Sequence, residues 1–193
     1  MVKNVKIPKN EKVNTFGRSA AIEKNASDKV NKYTLEKLSS LYPGYTISTC
    51  NDSIKQKLGV DKILSNGEKS VYIEEKIRYR NYGDILIELI GDNRYYLKRR
   101  DALGWSLRDN MTDILVYYYQ DTNTGYILSW KKFQRMVFRN LPIWFDYAKK
   151  NKNGFALKKT YNDYKGNQWY SLNLAIPLHV FENHYILEGG QIL

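Results

Sequence analysis

Apolar residues along the chain first recur at helical spacing. From Ser19 to Leu41 the positions Ile22, Ala26, Val30, Tyr33, Leu38 and Leu41 return every three to five residues, and Pro43-Gly44 follows, which predicts one amphipathic helix. Glu23 lies three residues before Ala26, on the inward stripe, whereas Asp28 has Lys24, Asn25, Asn31 and Lys32 as helical neighbours and points outward. The pattern then shortens. Tyr45 to Thr49 and a polar-helical piece from Asp52 to Lys57 lead to Gly59–Leu64, which alternates like a strand. Ser65-Asn66-Gly67-Glu68 joins it to a strand over Val71–Arg80, and Asn-Gly between two such runs predicts a hairpin. Asp84 to Ile90 is the next strand. Asp113–Gln120, DILVYYYQ, is apolar on both faces at its centre, as a strand inside a sheet would be. Gly125–Leu128 is a further strand, and Ser129 is a good N-cap for a helix beginning WKKFQRMVFRN. Lys158-Lys159, Gln168–Leu174 and the tail NHYILEGGQIL predict short strands or turns.

With 193 residues, 42% hydrophobic and 14% aromatic, the chain can bury one core, so a single domain over 17–193 is expected behind a polar, basic arm at 1–16. Charge sharpens the picture: 31 Lys and Arg against 20 Asp and Glu give +11, which favours a polyanionic partner, nucleic acid before others. No run approaches the ~18 apolar residues of a membrane span, which sets lipid aside. The basic positions cluster around Lys98-Arg99-Arg100, Lys131-Lys132, Lys149-Lys150-Lys152 and Lys158-Lys159. Lys131, Arg135 and Arg139 fall at i, i+4 and i+8 of the second helix, opposite Trp130, Phe133 and Val137, as either a solvated face or a phosphate-contacting one. Cys50 is the single cysteine, which precludes an internal disulfide and fits a reducing, cytoplasmic setting; the first residues lack the apolar run of a signal peptide.

Chemistry enters in the strand VYIEEKIR. Alternate side chains share a face, so Tyr72, Glu74, Lys76 and Arg78 go one way while Val71, Ile73, Glu75 and Ile77 go to the core. Asp61, across the hairpin, comes within reach of the Glu74 side. Two close carboxylates repel unless a cation separates them, and oxygen ligands without His or Cys favour Mg²⁺ or Mn²⁺. Such an ion with a neighbouring lysine is the equipment of phosphodiester hydrolysis. The plainer alternative is an exposed salt bridge between Glu74 and Lys76 with Asp61 in a turn.

The order of elements favours the first reading. An inward acid on a first helix (Glu23), Asp61 in LGVDKIL, a hairpin, and Glu74 with Lys76 in VYIEEKIR, followed by strand and helix, resembles the PD-(D/E)XK nuclease superfamily over about Ala20 to Arg139. In particular the pieces GVDKIL, EEKIR, GDILIEL and DILVYYY, with GWSLRDNMTD between the last two, resemble small uncharacterised nuclease-like proteins of phages and mobile elements. The resemblance implies an α/β, restriction-endonuclease-like αβββαβ core with a mixed central sheet flanked by helices. It also implies a metal-dependent nuclease in which Lys76, Glu74, Asp61 and Glu23 are catalytic. Asp61, Glu74 and Glu75, the last through its carbonyl, would hold Mg²⁺ or Mn²⁺. No proline precedes Asp61, and a bulge at the hairpin's end would exchange the faces of Glu74 and Glu75. Arg78 either holds the scissile phosphate or pairs with Glu88.

Other motifs fall away. His179 and His184 lie five apart with no cysteine nearby, which argues against zinc and HNH chemistry, and no phosphate loop, dinucleotide-binding glycine pattern or helix-turn-helix stands out. The 17 tyrosines raise base stacking, but Tyr95-Tyr96 and Tyr117-Tyr118-Tyr119 fall in predicted strands, where core packing is favoured. The expected function is a Mg²⁺-dependent deoxyribonuclease acting on duplex or branched DNA in the cytoplasm, which is the host cell's if the chain is phage-encoded. A junction-resolving homodimer is the natural special case, and a nuclease-fold DNA-binding module without chemistry is the rival.

Overall fold

The computed structural model describes residues 13–95 and 102–193, with side chains from residue 26 onward. In chain order the elements are β1 (Val13–Thr15), α1 (Phe16–Leu38), β2 (Thr46–Thr49), α2 (Ser53–Lys57), β3 (Lys62–Ser65), β4 (Ser70–Arg78), β5 (Asp84–Ile90), a 3₁₀ turn (Trp105–Leu107), β6 (Ile114–Tyr119), β7 (Thr124–Ser129), α3 (Trp130–Lys149), β8 (Ala156–Tyr164), β9 (Asn167–Pro177) and α4 (Leu178–Leu187). They form two compact units. One comprises Glu23–Tyr82, Asp109–Met136 and Glu182–Leu193; the other comprises the chain up to Ile22, Gly83–Arg108 and Val137–Phe181.

The first unit is built on a mixed five-stranded sheet, ordered β2-β3-β4-β6-β7, in which β4 and β6 run parallel and the remaining pairs antiparallel. All six residues of β6 are buried, the three successive tyrosines included, because β6 has neighbours on both edges and cover on both faces. Ala26, Val30 and Leu38 of α1 pack against Leu64, Ile73, Val116, Tyr118 and Ile127, with Val71 and Ile77 at the margin. Period two therefore sends Glu74, Lys76 and Arg78 to the opposite face, in register with Leu115, Tyr117 and Tyr119. The β3–β4 hairpin closes through a loop whose Asn66 Oδ1 accepts from the amides of Glu68 and Lys69. α2 is short and capped by Asp52, whose carboxylate accepts from the Ile54 and Lys55 amides. Those bonds, Lys55's first, hold its pKa below the ordinary carboxylate value.

The second unit carries a four-stranded sheet, β1-β8-β9-β5. Its long β8–β9 hairpin turns through Lys165 and Gly166, both at positive φ (52° and 79°), the geometry that suits a tight two-residue connection. Ile85, Ile87, Leu174 and Ile176 are buried, and Trp144 of α3 packs near Phe155.

The α/β class and the mixed sheet agree with expectation. Two arrangements differ. GDILIEL forms β5, but β5 pairs with β9 instead of joining the sheet of β4 and β6. The tail expected as strands or turns contains α4, because Phe181 and Tyr185, four apart and both buried, make an inward helical face. Tyr95 lies in a turn, and Tyr96 lies outside the described residues.

Candidate active site

Glu74 occupies the middle of a central strand and is only 3% exposed, with the apolar Leu115 beside it in register. A carboxylate so placed needs a countercharge, and Lys76, two residues on and on the same face, supplies it: Nζ lies 2.5 Å from Glu74 Oε1. Lys76 itself keeps 29% of its side chain exposed, so the pair is open to solvent at the lysine end.

Asp61 sits immediately before β3, where the ladder becomes irregular. Its amide donates to the Ile73 carbonyl at 2.9 Å, and its Oδ2 accepts from the Glu75 amide at 2.8 Å. The carboxylate thus takes the place of a main-chain acceptor and is fixed against the residue that follows Glu74. Behind Glu74 stands Gly59, at φ +83°. A Cβ built there would lie 2.7 Å from Glu74 Oε2 and 2.8 Å from Asn110 Nδ2. Only glycine adopts this backbone cheaply, and only its bare Cα admits the carboxylate. The segment is secured from the other side, since Thr112 Oγ1 donates to the Gly59 carbonyl and the Met111 amide to that of Leu58.

The strand carrying these groups is fastened at both ends by aspartates flanking β6. Asp113 Oδ2 accepts from the Tyr72 amide while its own amide donates to the Tyr72 carbonyl. Asp121 accepts from the Asn81 amide through both carboxylate oxygens.

The structure thus brings Asp61, Glu74, Glu75 and Lys76 together. Arg78 lies further along the same face as Lys76, its guanidinium carbon 5.2 Å from the Tyr82 ring centroid. Glu88 accepts from the Trp105 amide in the four-stranded unit. Glu23 is in α1, one turn before Ala26, but its side chain lies outside the described residues, as do Lys98, Arg99 and Arg100 altogether. Lys131, Arg135 and Arg139 are all exposed on α3, opposite the buried Trp130, Phe133 and Val137.

The oxygen-only donors Asp61 and Glu74, with the Glu75 carbonyl, suit a hard divalent cation, and the glycine cradle at Glu74 leaves that carboxylate room a side chain would fill. Among the described residues, however, no group of three or more acidic, His or Cys side chains is placed to share an ion. Sequence spacing missed Gly59 and Asn110, whose closeness to Glu74 only the fold creates. It also missed Lys62, buried on the α1 face with Nζ 2.8 Å from Ser27 Oγ and 3.3 Å from Thr49 Oγ1. The four-stranded unit has a polar cleft of about 490 Å³ whose lining includes Glu88, Arg108, Asn162, Trp169 and Asn173. Arg94, forked onto Asp92, stacks 4.9 Å from the Trp169 ring.

Among the described residues no helix is long and apolar enough to cross a membrane. Comparison of the chain with family models, curated proteins and solved structures finds no match in any of the three.

Proposed function

We propose that the chain is a metal-dependent deoxyribonuclease of the PD-(D/E)XK kind. The observation that carries the reading is the 2.5 Å Glu74–Lys76 pair on a buried central strand, with Asp61 fixed against the next residue's amide, in a protein of charge +11. Asp61, Glu74 and the Glu75 carbonyl would hold Mg²⁺ or Mn²⁺, which when bound supplies Lewis acidity and a more acidic water. Lys76 stands at the solvent-open end of the pair, where its ammonium, while neutralising Glu74, would orient a water and balance charge developing on phosphate oxygens. Arg78 binds a phosphate further along the same face, and Glu23 acts from α1.

The test compares the protein with Lys76→Ala and Lys76→Arg on labelled linear, single-stranded, flapped and four-way-junction DNA, in Mg²⁺, Mn²⁺ or EDTA. Lys76→Ala strands a buried carboxylate and costs on the order of 3 kcal/mol of stability. Lys76→Arg keeps the charge and the fold but moves the donors. Metal-dependent cutting by the parent protein that both variants lose is the expected result; cutting at the parental rate by either variant refutes the mechanism. Equal cutting of linear duplex and junction by a monomer would remove a junction-resolving homodimer.

A second reading has its own support. Lys76 is already engaged by Glu74, and the described residues hold no three-ligand group. Both suit a DNA-binding module that keeps the arrangement without the chemistry. Calorimetric titration separates the two: saturable Mg²⁺ or Mn²⁺ binding supports the nuclease, and its absence with and without DNA supports the module.

A further inference from the structure

The strand of Glu74 and Lys76 ends at Arg78, two residues before the sequence pattern places its end, and the chain leaves it through Tyr79-Arg80-Asn81-Tyr82-Gly83. This turn is held firmly. The Gln120 amide donates to the Arg78 carbonyl at 2.8 Å and the Asp121 amide to that of Tyr79 at 3.0 Å. The Asn81 amide lies 3.0 and 3.2 Å from the two oxygens of Asp121, and Gly83 takes φ +74°. Despite this anchored backbone, Tyr79 is 69% and Tyr82 63% exposed, and Arg80 is exposed between them. Arg78 stacks on the Tyr82 ring, which presents an aromatic face with a cation beside it.

A fixed turn that spends two aromatics on solvent, interleaved with arginines, has the composition of a stacking platform for unpaired bases. Every base has a π-face, and the guanidinium groups answer the phosphates. A folded protein partner would find too small a patch, and a duplex hides its base faces. Tyr79 stands five residues from Glu74 along the chain, about 16 Å at the rise of a strand, or roughly five nucleotide steps of a stacked single strand. We infer that the turn Arg78–Tyr82 holds unpaired nucleotides of the DNA substrate, so that the protein acts next to single-stranded or branched segments. The substrate preference rests on the nuclease reading; the binding itself does not.

Binding is therefore measured without cleavage. Fluorescence anisotropy in EDTA follows labelled (dT)₁₂ and a 12-base-pair duplex against the full-length protein, Tyr79→Ala/Tyr82→Ala and Tyr79→Phe/Tyr82→Phe. Stacking of two bases makes the alanine pair at least ~10-fold weaker on (dT)₁₂ and changes duplex binding less than ~3-fold, while the phenylalanine pair stays near the parent. The inference is overturned if the parent does not bind (dT)₁₂, if the alanine pair binds it as the parent does, or if single strand and duplex lose affinity alike. Absence of cleavage in a parallel Mg²⁺ assay would strike only the nuclease reading.

Discussion

Replacing Gly59 by alanine probes how the fold holds Glu74. Two costs add. The residue sits at φ +83°, where an L side chain costs about 1–2 kcal/mol. The new Cβ would also stand 2.7 Å from Glu74 Oε2 and 2.8 Å from Asn110 Nδ2, well inside contact distance. Glu74 is buried and tied to Lys76, so its carboxylate cannot swing away freely, and overpacking of this kind adds about 1–3 kcal/mol. Gly67 supplies the control, since it has φ +92° but nothing within 4 Å of a built Cβ. Gly67→Ala should cost only the backbone share. At about 2–4 °C per kcal/mol for a chain of this length, Gly67→Ala lowers Tm by about 2–8 °C and Gly59→Ala by about 4–20 °C. Thermal melts followed by circular dichroism read the difference, and a Mg²⁺ cleavage assay on the same samples reads displacement of the carboxylate. Equal melting losses in the two variants would refute the steric account, and cleavage unchanged in Gly59→Ala would detach this cradle from activity.

Two further outcomes follow from the electrostatics. Burial, and then the hydrogen bond to Glu182, push the Tyr126 hydroxyl pKa well above its ordinary value of 10. The folded state therefore keeps a proton that the unfolded chain gives up, and the associated stability is present below about pH 10 and lost as pH rises through the raised folded value. Tyr33, Tyr118 and Tyr185, each raised mainly by burial, act in the same direction. Melting temperature should fall above pH 10, and Tyr126→Phe should make that fall shallower; an identical slope in the variant would contradict the assignment. On α3, the exposed Lys131, Arg135 and Arg139 replaced together by alanine should leave Tm within about 3 °C. If the face meets phosphates, the slope of log affinity for DNA against log salt drops by up to about 3, whereas an unchanged slope means a merely solvated face.

What the sequence determined by itself was local. Apolar recurrence set α1, whose observed span Phe16–Leu38 begins and ends three residues earlier than the pattern, and the period of two put Glu74 and Lys76 on one side of β4. Asn66 marked the hairpin turn and Asp52 the start of α2, because each acts on amides two or three residues away. The apolar run of β6 disclosed a strand with neighbours on both edges. Tertiary structure decided whatever depends on distant partners. GDILIEL could have extended the sheet of β4, but its partner is β9, some ninety residues on, and no spacing within β5 encodes that choice. Gly59 reads as the first residue of a strand until the fold sets it, at φ +83°, against Glu74 and Asn110. Tyr79 reads as a strand residue until Asp121, brought alongside by the parallel pairing of β4 and β6, takes the amide of Asn81 and leaves the ring in solvent. Periodicity and turn chemistry act over a few residues and are written in them. Strand partnership and close approach are fixed by which long-range closure buries the most apolar surface, and that is a property of the whole chain.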